Sequence, residues 1–282
     1  MRKQLLFVAL VVFGLAHVST ESKAAKSSLI DLGDRADITA RRPILIAHRG
    51  GVVTPQSAEC SREAIQLAGT QGYDMVELDI RRSKDGIPVV FHDRNLQKAC
   101  GRPESTFELT VKELSQITYL NSGSRILTLR EAIQECQRQN LGIMLDLKEG
   151  QDNIPFLKII DQLIVETGFE DATNTFSGSP EARATLKHVR FTLTDTELKS
   201  LREGKKSRLE DRFWFGLPQR LPDSDIELLK NAGALILPAI NTFRYPSENH
   251  QALAEKDIKH LLKQGVHGFQ LDSVYFSIVP SD

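Results

Sequence analysis

The sequence is poor in cysteine, has no surplus of either charge and contains no long apolar segment. Three cysteines in 282 residues cannot form a disulfide framework. The 36 basic residues are balanced by 37 acidic ones, so no basic surplus exists to neutralise a phosphate backbone, and nucleic acid is an unlikely class of partner. The apolar stretch at residues 5–16 is shorter than the roughly 20 residues that span a bilayer. With 40% hydrophobic and 26% charged residues, the chain has the composition of a globular protein with a sizeable core.

The first 24 residues are predicted to be a secretory signal peptide with an approximate end. Arg2 and Lys3 precede the apolar stretch 5–16, and small residues suited to cleavage follow at 14–16 or 22–24. An uncleaved membrane anchor is the alternative. Cleavage would leave residues 25–282 as a single domain and predicts a secreted or periplasmic location.

The cysteine pattern leaves two outcomes open. Export would expose Cys60, Cys100 and Cys136 to oxidising conditions. Since three is an odd number, at most one internal bridge can form. The alternative is three buried thiols that behave as small apolar side chains.

The chain alternates short apolar runs with amphipathic helical patterns up to its C-terminus, which predicts an α/β fold with a parallel sheet. About eight such repeats in about 240 residues favour a closed (β/α)8 TIM barrel over an open sheet. Residues 94–125 are irregular and are interpreted as a small insertion on an early loop. The predicted strands are 44–48, 75–80, 87–91, 142–147, 172–176, 213–215, 234–237 and 268–271; the predicted helices include 59–68, 154–165, 180–188, 225–231 and 256–264.

Two carboxylates share one strand. Glu77 and Asp79 are two residues apart, so they point to the same side of the strand. The apolar residues around them indicate that the strand is buried, where two ionised acids need a cation. Oxygen ligands favour Ca²⁺ or Mg²⁺. Asp146 and Lys148 have the same spacing on a later strand, and these two could equally form a simple salt bridge.

Two histidines end apolar strands. His48 follows the run 44–47, and His92 follows 87–91. In a barrel of this type, functional residues lie at the carboxyl ends of the strands. Because imidazole titrates near neutral pH, one histidine can accept a proton while the other donates one.

The segment from His48 to Asp93 resembles the glycerophosphodiester phosphodiesterase family. The matching pieces are residues 47–50 (Ala-His-Arg-Gly), 58–61, 72–81, 83–86 (Ser-Lys-Asp-Gly) and 89–93 (Val-Val-Phe-His-Asp). Weaker matches at 127–131, 145–148 and 265–272 extend the resemblance over nearly the whole mature chain. The resemblance implies a TIM barrel with one small insertion.

The resemblance also implies roles for the acidic residues. Glu77 and Asp79 correspond to metal ligands. Asp146 takes the position of a third acid that is usually Glu, and its side chain is one methylene shorter, so its ligation could be direct or through water. Glu59 takes the acidic position of a Pro-Glu-Asn motif, near metal or substrate.

The same comparison makes His48 and His92 the acid–base pair and places Arg49 and Lys148 against the substrate phosphate. Two departures concern the substrate side. Cys60 stands where the family has Asn, with the loss of one polar contact expected, and residues 241–243 replace a tryptophan-rich segment. The alcohol or lipid group of the substrate could therefore differ from that of other family members.

The function predicted from the resemblance is metal-dependent hydrolysis of glycerophosphodiesters to glycerol phosphate and an alcohol. One alternative is a phosphodiesterase of the same barrel type that acts on lysophospholipids or phosphoinositides, with peripheral contact with lipid through residues 213–215 and 275–276, although burial of these residues is favoured. Another is a non-catalytic secreted barrel. No obligate protein partner is evident.

Overall fold

The computed structural model of the protein describes residues 28–280, so the predicted signal peptide lies outside the described residues. Within this range the strands are β1 Ile44–Ala47, β2 Met75–Arg82, β3 Pro88–Val90, β4 Leu127–Thr128, β5 Gly142–Leu147, β6 Thr173–Thr175, β7 Arg190–Thr192, β8 Arg212–Trp214, β9 Leu235–Ile236, β10 Ala239–Ile240 and β11 Gly268–Leu271. The helices are α1 Arg35–Ala40, α2 Arg62–Gln71, α3 Gln97–Cys100, α4 Val111–Leu114, α5 Leu129–Arg138, α6 Ile154–Thr167, α7 Pro180–Thr185, α8 Asp195–Arg202, α9 Asp223–Ala232 and α10 His250–Gln264.

The parallel sheet closes into a barrel. Its order is β10-β11-β1-β2-β5-β6-β7-β8-β9, and β9 and β10 are the two halves of one chain segment. Between them, the N–H of Leu237 donates to the carbonyl of Trp214 (3.0 Å), and the carbonyl of Pro238 accepts from the N–H of Gln270 (2.9 Å). The segment 235–240 thus bonds to β8 on one side and to β11 on the other. Counting β9 and β10 as one position, eight parallel positions form the TIM barrel that the sequence predicted.

The predicted helix 59–68 begins later than expected. Cys60 has φ 61°, in the left-handed region, so no helix can run through it. Ser61 caps the helix instead, because its side chain accepts from the N–H of Ala64. Glu59 is therefore held on a loop at the barrel mouth, outside the regular structure of α2.

Residues 94–125 contain two short helices, α3 and α4, and pack beside the barrel. Here β3 pairs antiparallel with β2 and with β4. Phe91, Leu96, Leu114 and Tyr119 belong to a small buried cluster separate from the main core. The interpretation of this segment as an insertion stays a prediction.

The aromatic segments considered for lipid contact are largely inside. Phe213, Trp214 and Tyr275 are buried, as was favoured from the sequence. Across residues 28–280, the helices are all too short or too polar to traverse a bilayer.

Candidate active site

Strand register brings the acidic side chains together at the carboxyl end of the barrel. In the parallel pair β2–β5, Glu77 lies opposite Met144, and Asp79 lies opposite Asp146. Carboxylate oxygens of Glu77, Asp79 and Asp146 lie within 4.8 Å of one another. Glu77 and Asp79 are each only 1% exposed, so water cannot screen their charges.

Burial and mutual repulsion govern this acidic group. Burial, together with the charges of Asp79 and Asp146, raises the pKa of Glu77 well above its ordinary value. Burial also raises the pKa of Asp146. Burial would raise the pKa of Asp79 too, but the charge of Lys148 outweighs it and lowers that pKa.

Lys148 neutralises only part of the negative charge of these three carboxylates. Its ammonium bonds to Asp146, and its Nζ lies 2.8 Å from Oδ1 of Asp79. That buried oxygen nevertheless accepts no hydrogen bond of good geometry from any group in residues 28–280. Three clustered carboxylates beside a single lysine have the donor chemistry that a hard divalent cation requires. The residues therefore fit a Ca²⁺ or Mg²⁺ ion.

A tight turn after β1 places the backbone N–H of Arg49 against this group. Arg49 has φ 57°, and its backbone N–H donates to Oε2 of Glu77 (2.7 Å). Gly50 has φ 75°, and a Cβ there would lie 2.6 Å from the Cα of Cys60, so only glycine fits the turn. The guanidinium of Arg49 reaches Oε2 of Glu59 at 2.7 Å.

Both histidines are held through Nδ1 by carboxylates. Nδ1 of His48 lies 2.5 Å from Oδ1 of Asp272, and Nδ1 of His92 lies 2.8 Å from Oδ1 of Asp93. Oε1 of Glu59 is 3.8 Å from the same nitrogen of His92. Since an ionised carboxylate can only accept, each Nδ1 donates and each Nε2 remains for proton transfer.

Both histidines and four other residues predicted for the site line one cavity of about 310 Å³, a volume typical of a small-molecule site. We call the side with these six residues the inner wall. The outer wall is the side made of Phe176, Phe215, Leu217, Arg220, Phe243 and Arg244. The inner wall is His48, Arg49, Glu77, His92, Asp146 and Lys148.

Cys60 changes the surroundings of Asp79 less than expected. Its buried thiol lies 3.4 Å from Oδ2 of Asp79 and donates a weak hydrogen bond. The polar contact expected to be lost with the family's Asn is thus partly replaced. All three cysteines are buried and free, which favours the second of the two outcomes considered above.

A sequence profile of the glycerophosphoryl diester phosphodiesterase family matches residues 48–268. The chain belongs to this family. The match runs from His48, at the end of β1, to the start of β11. It therefore covers β2 to β10 and every residue predicted for the site.

Individual relatives agree over shorter segments. Glycerophosphodiester phosphodiesterase 1 of Mus musculus is 34% identical over 115 residues, which is 38% of this chain and 34% of the relative. A Mus musculus protein named lysophospholipase D is 35% identical over 80 residues, 27% of this chain and 24% of the relative. The chain thus matches about a third or less of the length of these curated relatives.

A solved structure agrees over most of the barrel. It is a phosphodiesterase of Oleispira antarctica in complex with the product sn-glycerol-3-phosphate, and it superimposes with a TM-score of 0.65 over 86% of this chain and 99% of its own. At 21% identity, this likeness shows the fold.

All eight residues predicted for the site lie at this end of the barrel. Six of them line the cavity, and Asp79 is buried beside Lys148. Glu59 lies between Arg49 and His92.

Two partners were missed. Asp272 was noted only as the last residue of the weaker match 265–272, and Asn241 only as part of the altered segment 241–243. Nδ2 of Asn241 lies 3.3 Å from Oε1 of Gln270 and 3.1 Å from Nδ1 of His48. Because that Nδ1 donates to Asp272, the hydrogen bond of Asn241 is the one to Gln270.

Proposed function

We propose that the protein is a metal-dependent glycerophosphodiester phosphodiesterase that releases glycerol phosphate and an alcohol. The observation that carries the proposal is the convergence, in one cavity, of two carboxylate-held histidines with a buried group of three carboxylates. Family membership and the name of the Mus musculus relative support the same activity.

The substrate phosphate is proposed to lie between the histidines and the cationic side chains. Arg49 suits a phosphate because its guanidinium donates in a fixed fork, and Lys148 adds a second positive charge. Glu59 holds the Arg49 guanidinium at 2.7 Å, which orients it in advance. Both residues offset negative charge that develops on the phosphoryl oxygens in the transition state.

The two histidines are proposed to exchange the protons of the reaction. One Nε2 removes the proton of the nucleophile, a water molecule or the 2-hydroxyl of glycerol, and the other protonates the leaving alkoxide. Asp272 and Asp93 keep the two rings in the tautomer that leaves Nε2 free.

Glu77, Asp79 and Asp146 are the residues proposed to hold Ca²⁺ or Mg²⁺. When bound, such an ion polarises a phosphoryl oxygen and neutralises charge at the reacting centre.

A second candidate function is hydrolysis of lysophospholipids. A neighbouring cavity of about 370 Å³ touches His48 and Arg49, and three exposed apolar side chains, Val53, Phe243 and Val274, line it. An acyl-bearing substituent could rest on such a surface. The name of the second Mus musculus relative supports this alternative.

The deciding experiment is turnover of water-soluble glycerophosphodiesters and of lysophospholipids by the purified protein, with and without a chelator. We expect hydrolysis of the soluble diesters, its loss on chelation and its return with Ca²⁺ or Mg²⁺. Hydrolysis of lysophospholipids alone would favour the second function. Full activity after exhaustive chelation would remove the metal from the scheme, and no activity on either class would support a non-catalytic barrel.

A further inference from the structure

The outer wall of the 310 Å³ cavity is built by loops that follow β6, β8 and β10. Phe176 and Phe215 stack there, with ring centroids 4.6 Å apart and an interplanar angle of 16°. Leu217 and Phe243 line the same wall. These side chains line the same cavity as the residues proposed to bind the phosphate, so they lie within reach of one of its two ester substituents.

Two arginines stand on this outer wall. Arg220 ends the 3₁₀ turn Pro218–Arg220, and Arg244 ends the 3₁₀ turn Thr242–Arg244. Both are exposed and both line the cavity. The guanidinium of Arg244 lies 4.1 Å from the ring centroid of Phe243, an arrangement that orients the cation without neutralising it.

The two arginines of the outer wall differ from Arg49 and Lys148 because, in the described part of the chain, they lack a carboxylate partner. Arg49 is paired with Glu59, and Lys148 with Asp79 and Asp146. For Arg220 and Arg244, no carboxylate within residues 28–280 comes within ion-pair distance.

The acid that contacts the sequence neighbours of both arginines is already engaged. Asp257 accepts from the hydroxyl of Tyr245 at 3.0 Å and from Nε2 of Gln219 at 3.5 Å, the residues next to Arg244 and Arg220 in sequence. The outer wall therefore presents two positive charges to whatever group enters it.

From this arrangement we infer that the enzyme prefers diesters whose alcohol carries an additional anionic group, a phosphate or a carboxylate. This inference rests on the proposed function and specifies its substrate. An anion on the outer wall gains charge-assisted, forked hydrogen bonds from the guanidinium groups. A quaternary ammonium, as in choline, would instead meet two like charges with no carboxylate beside them.

The test compares kcat/KM for a matched pair of substrates, glycerophosphoinositol and its 4-phosphate, with glycerophosphocholine as the cationic case. For the unmodified protein we expect kcat/KM for glycerophosphoinositol 4-phosphate to exceed that for glycerophosphoinositol by about tenfold, the order expected for hydrogen bonds between charged groups. The value for glycerophosphocholine should be the lowest of the three. Raising the salt concentration should reduce the preference, because the Debye length falls from about 10 Å at 0.1 M to about 3 Å at 1 M.

The double variant Arg220→Gln, Arg244→Gln should lower kcat/KM for the 4-phosphate more than for its parent and so bring the ratio close to one. Arg208→Gln is the matched control, since Arg208 is an exposed arginine in a surface pocket away from the site, and it should leave the ratio unchanged. Thermal melts of all variants should coincide. An unmodified protein that hydrolyses all three diesters at similar rates, or a double variant that keeps the preference, overturns this inference and leaves the proposed function standing. No hydrolysis of any diester in the presence of Ca²⁺ or Mg²⁺ overturns both.

Discussion

Oδ1 of Asp272 lies 2.5 Å from Nδ1 of His48, although 224 residues separate them in sequence. Closure of the barrel explains the contact. In the pair β1–β11, Ala47 lies opposite Leu271, so the next residues of the two strands are neighbours at the barrel mouth. Oδ2 of Asp272 accepts from the N–H and the hydroxyl of Thr242, at 2.6 and 2.7 Å. The carboxylate is thereby fixed on both of its oxygens.

The electrostatics agree with a permanently ionised Asp272. Burial alone would raise its pKa, but the hydrogen bond and charge of His48, with the hydrogen bonds from Thr242, lower that pKa to about 2. At neutral pH the carboxylate can only accept, which fixes the tautomer of His48.

We predict that Asp272→Asn lowers kcat by at least about a hundredfold with a much smaller change in KM. The Asn side chain keeps the shape but can present its amide N–H to Nδ1, which turns the imidazole into the wrong tautomer; in serine proteases the corresponding change costs about 10⁴ in rate. Steady-state kinetics on a soluble glycerophosphodiester measures the effect. Thr242→Val, which removes only the hydroxyl that supports Asp272, should cost less. A purely structural role for Asp272 would lower the fraction of active enzyme and the melting temperature, with kcat per folded molecule unchanged.

The two histidines themselves should be individually essential. His48→Ala and His92→Ala are each expected to reduce turnover by about a hundredfold or more, the lower range for acid–base catalysis. His188→Ala is the control, because His188 is half exposed and pairs with Asp161 at 3.0 Å, away from the cavity. A near-normal rate in either of the first two variants would refute the role of that histidine.

Removal of one acidic charge should separate metal binding from folding. Glu77→Gln is expected to abolish the rise in melting temperature that Ca²⁺ or Mg²⁺ gives the unmodified protein, since a ligand that binds the native state alone stabilises it. In chelator the variant should melt at the same temperature as the unmodified protein or a few degrees higher, because burying three carboxylates beside one lysine is unfavourable. Calorimetry with and without the cation measures both effects. Glu203→Gln, at an exposed position, should behave like the unmodified protein, and a cation-induced shift that persists in Glu77→Gln would show that this carboxylate is not a ligand.

The strands with the strongest apolar patterns were predictable because they are buried on both sides. The runs that became β1, β2, β5 and β11 were all predicted from the sequence. The strand β7, Arg190–Thr192, was missed. Phe191 lies between the apolar neighbours Val189 and Leu193, but so short an alternation is a weak signal. Pairing with β6 and β8 stabilises the extended conformation there, and for so short a segment this tertiary contact decides between strand and loop.

The site also contains residues that the sequence pattern predicts and contacts that only the tertiary structure reveals. His48, Glu77, Asp79 and His92 could be predicted because polar groups at the ends of apolar strands converge at one face of a barrel. The contact of Asp272 with His48 depends on the register between β1 and β11, the first and last strands of the barrel. The unpaired state of Arg220 and Arg244 depends on which acids the surrounding turns happen to bring near, and a single sequence does not contain that information.

The capping box that opens α5 should make a measurable, pH-dependent contribution to stability. Oε2 of Glu131 accepts from the N–H and the hydroxyl of Thr128, both at 2.9 Å, and the N–H of Glu131 donates back to the Thr128 hydroxyl at 3.2 Å. Arg125 adds a further hydrogen bond to the same carboxylate at 3.1 Å. Burial opposes ionisation, but Arg125 and Thr128 outweigh it and lower the pKa of Glu131 from 4.5 to about 2.

We therefore expect Glu131→Gln to destabilise the protein at pH 7 by about 1 kcal/mol or less, because Gln keeps the acceptor oxygen of the capping box and loses only the charge that strengthens its hydrogen bonds, and the exposed ion pair adds little. Because the folded-state pKa is depressed, this stabilisation is fully present above about pH 4.5 and is lost as the pH falls towards 2. Denaturant unfolding of both proteins between pH 7 and pH 2 should show the two free energies of unfolding converge at the acid end. Glu113→Gln removes the corresponding carboxylate from the more exposed capping box at Thr110 and should cost less at pH 7. A difference between the Glu131 variant and the unmodified protein that stays constant with pH would assign the effect to packing, not to the charge of the carboxylate.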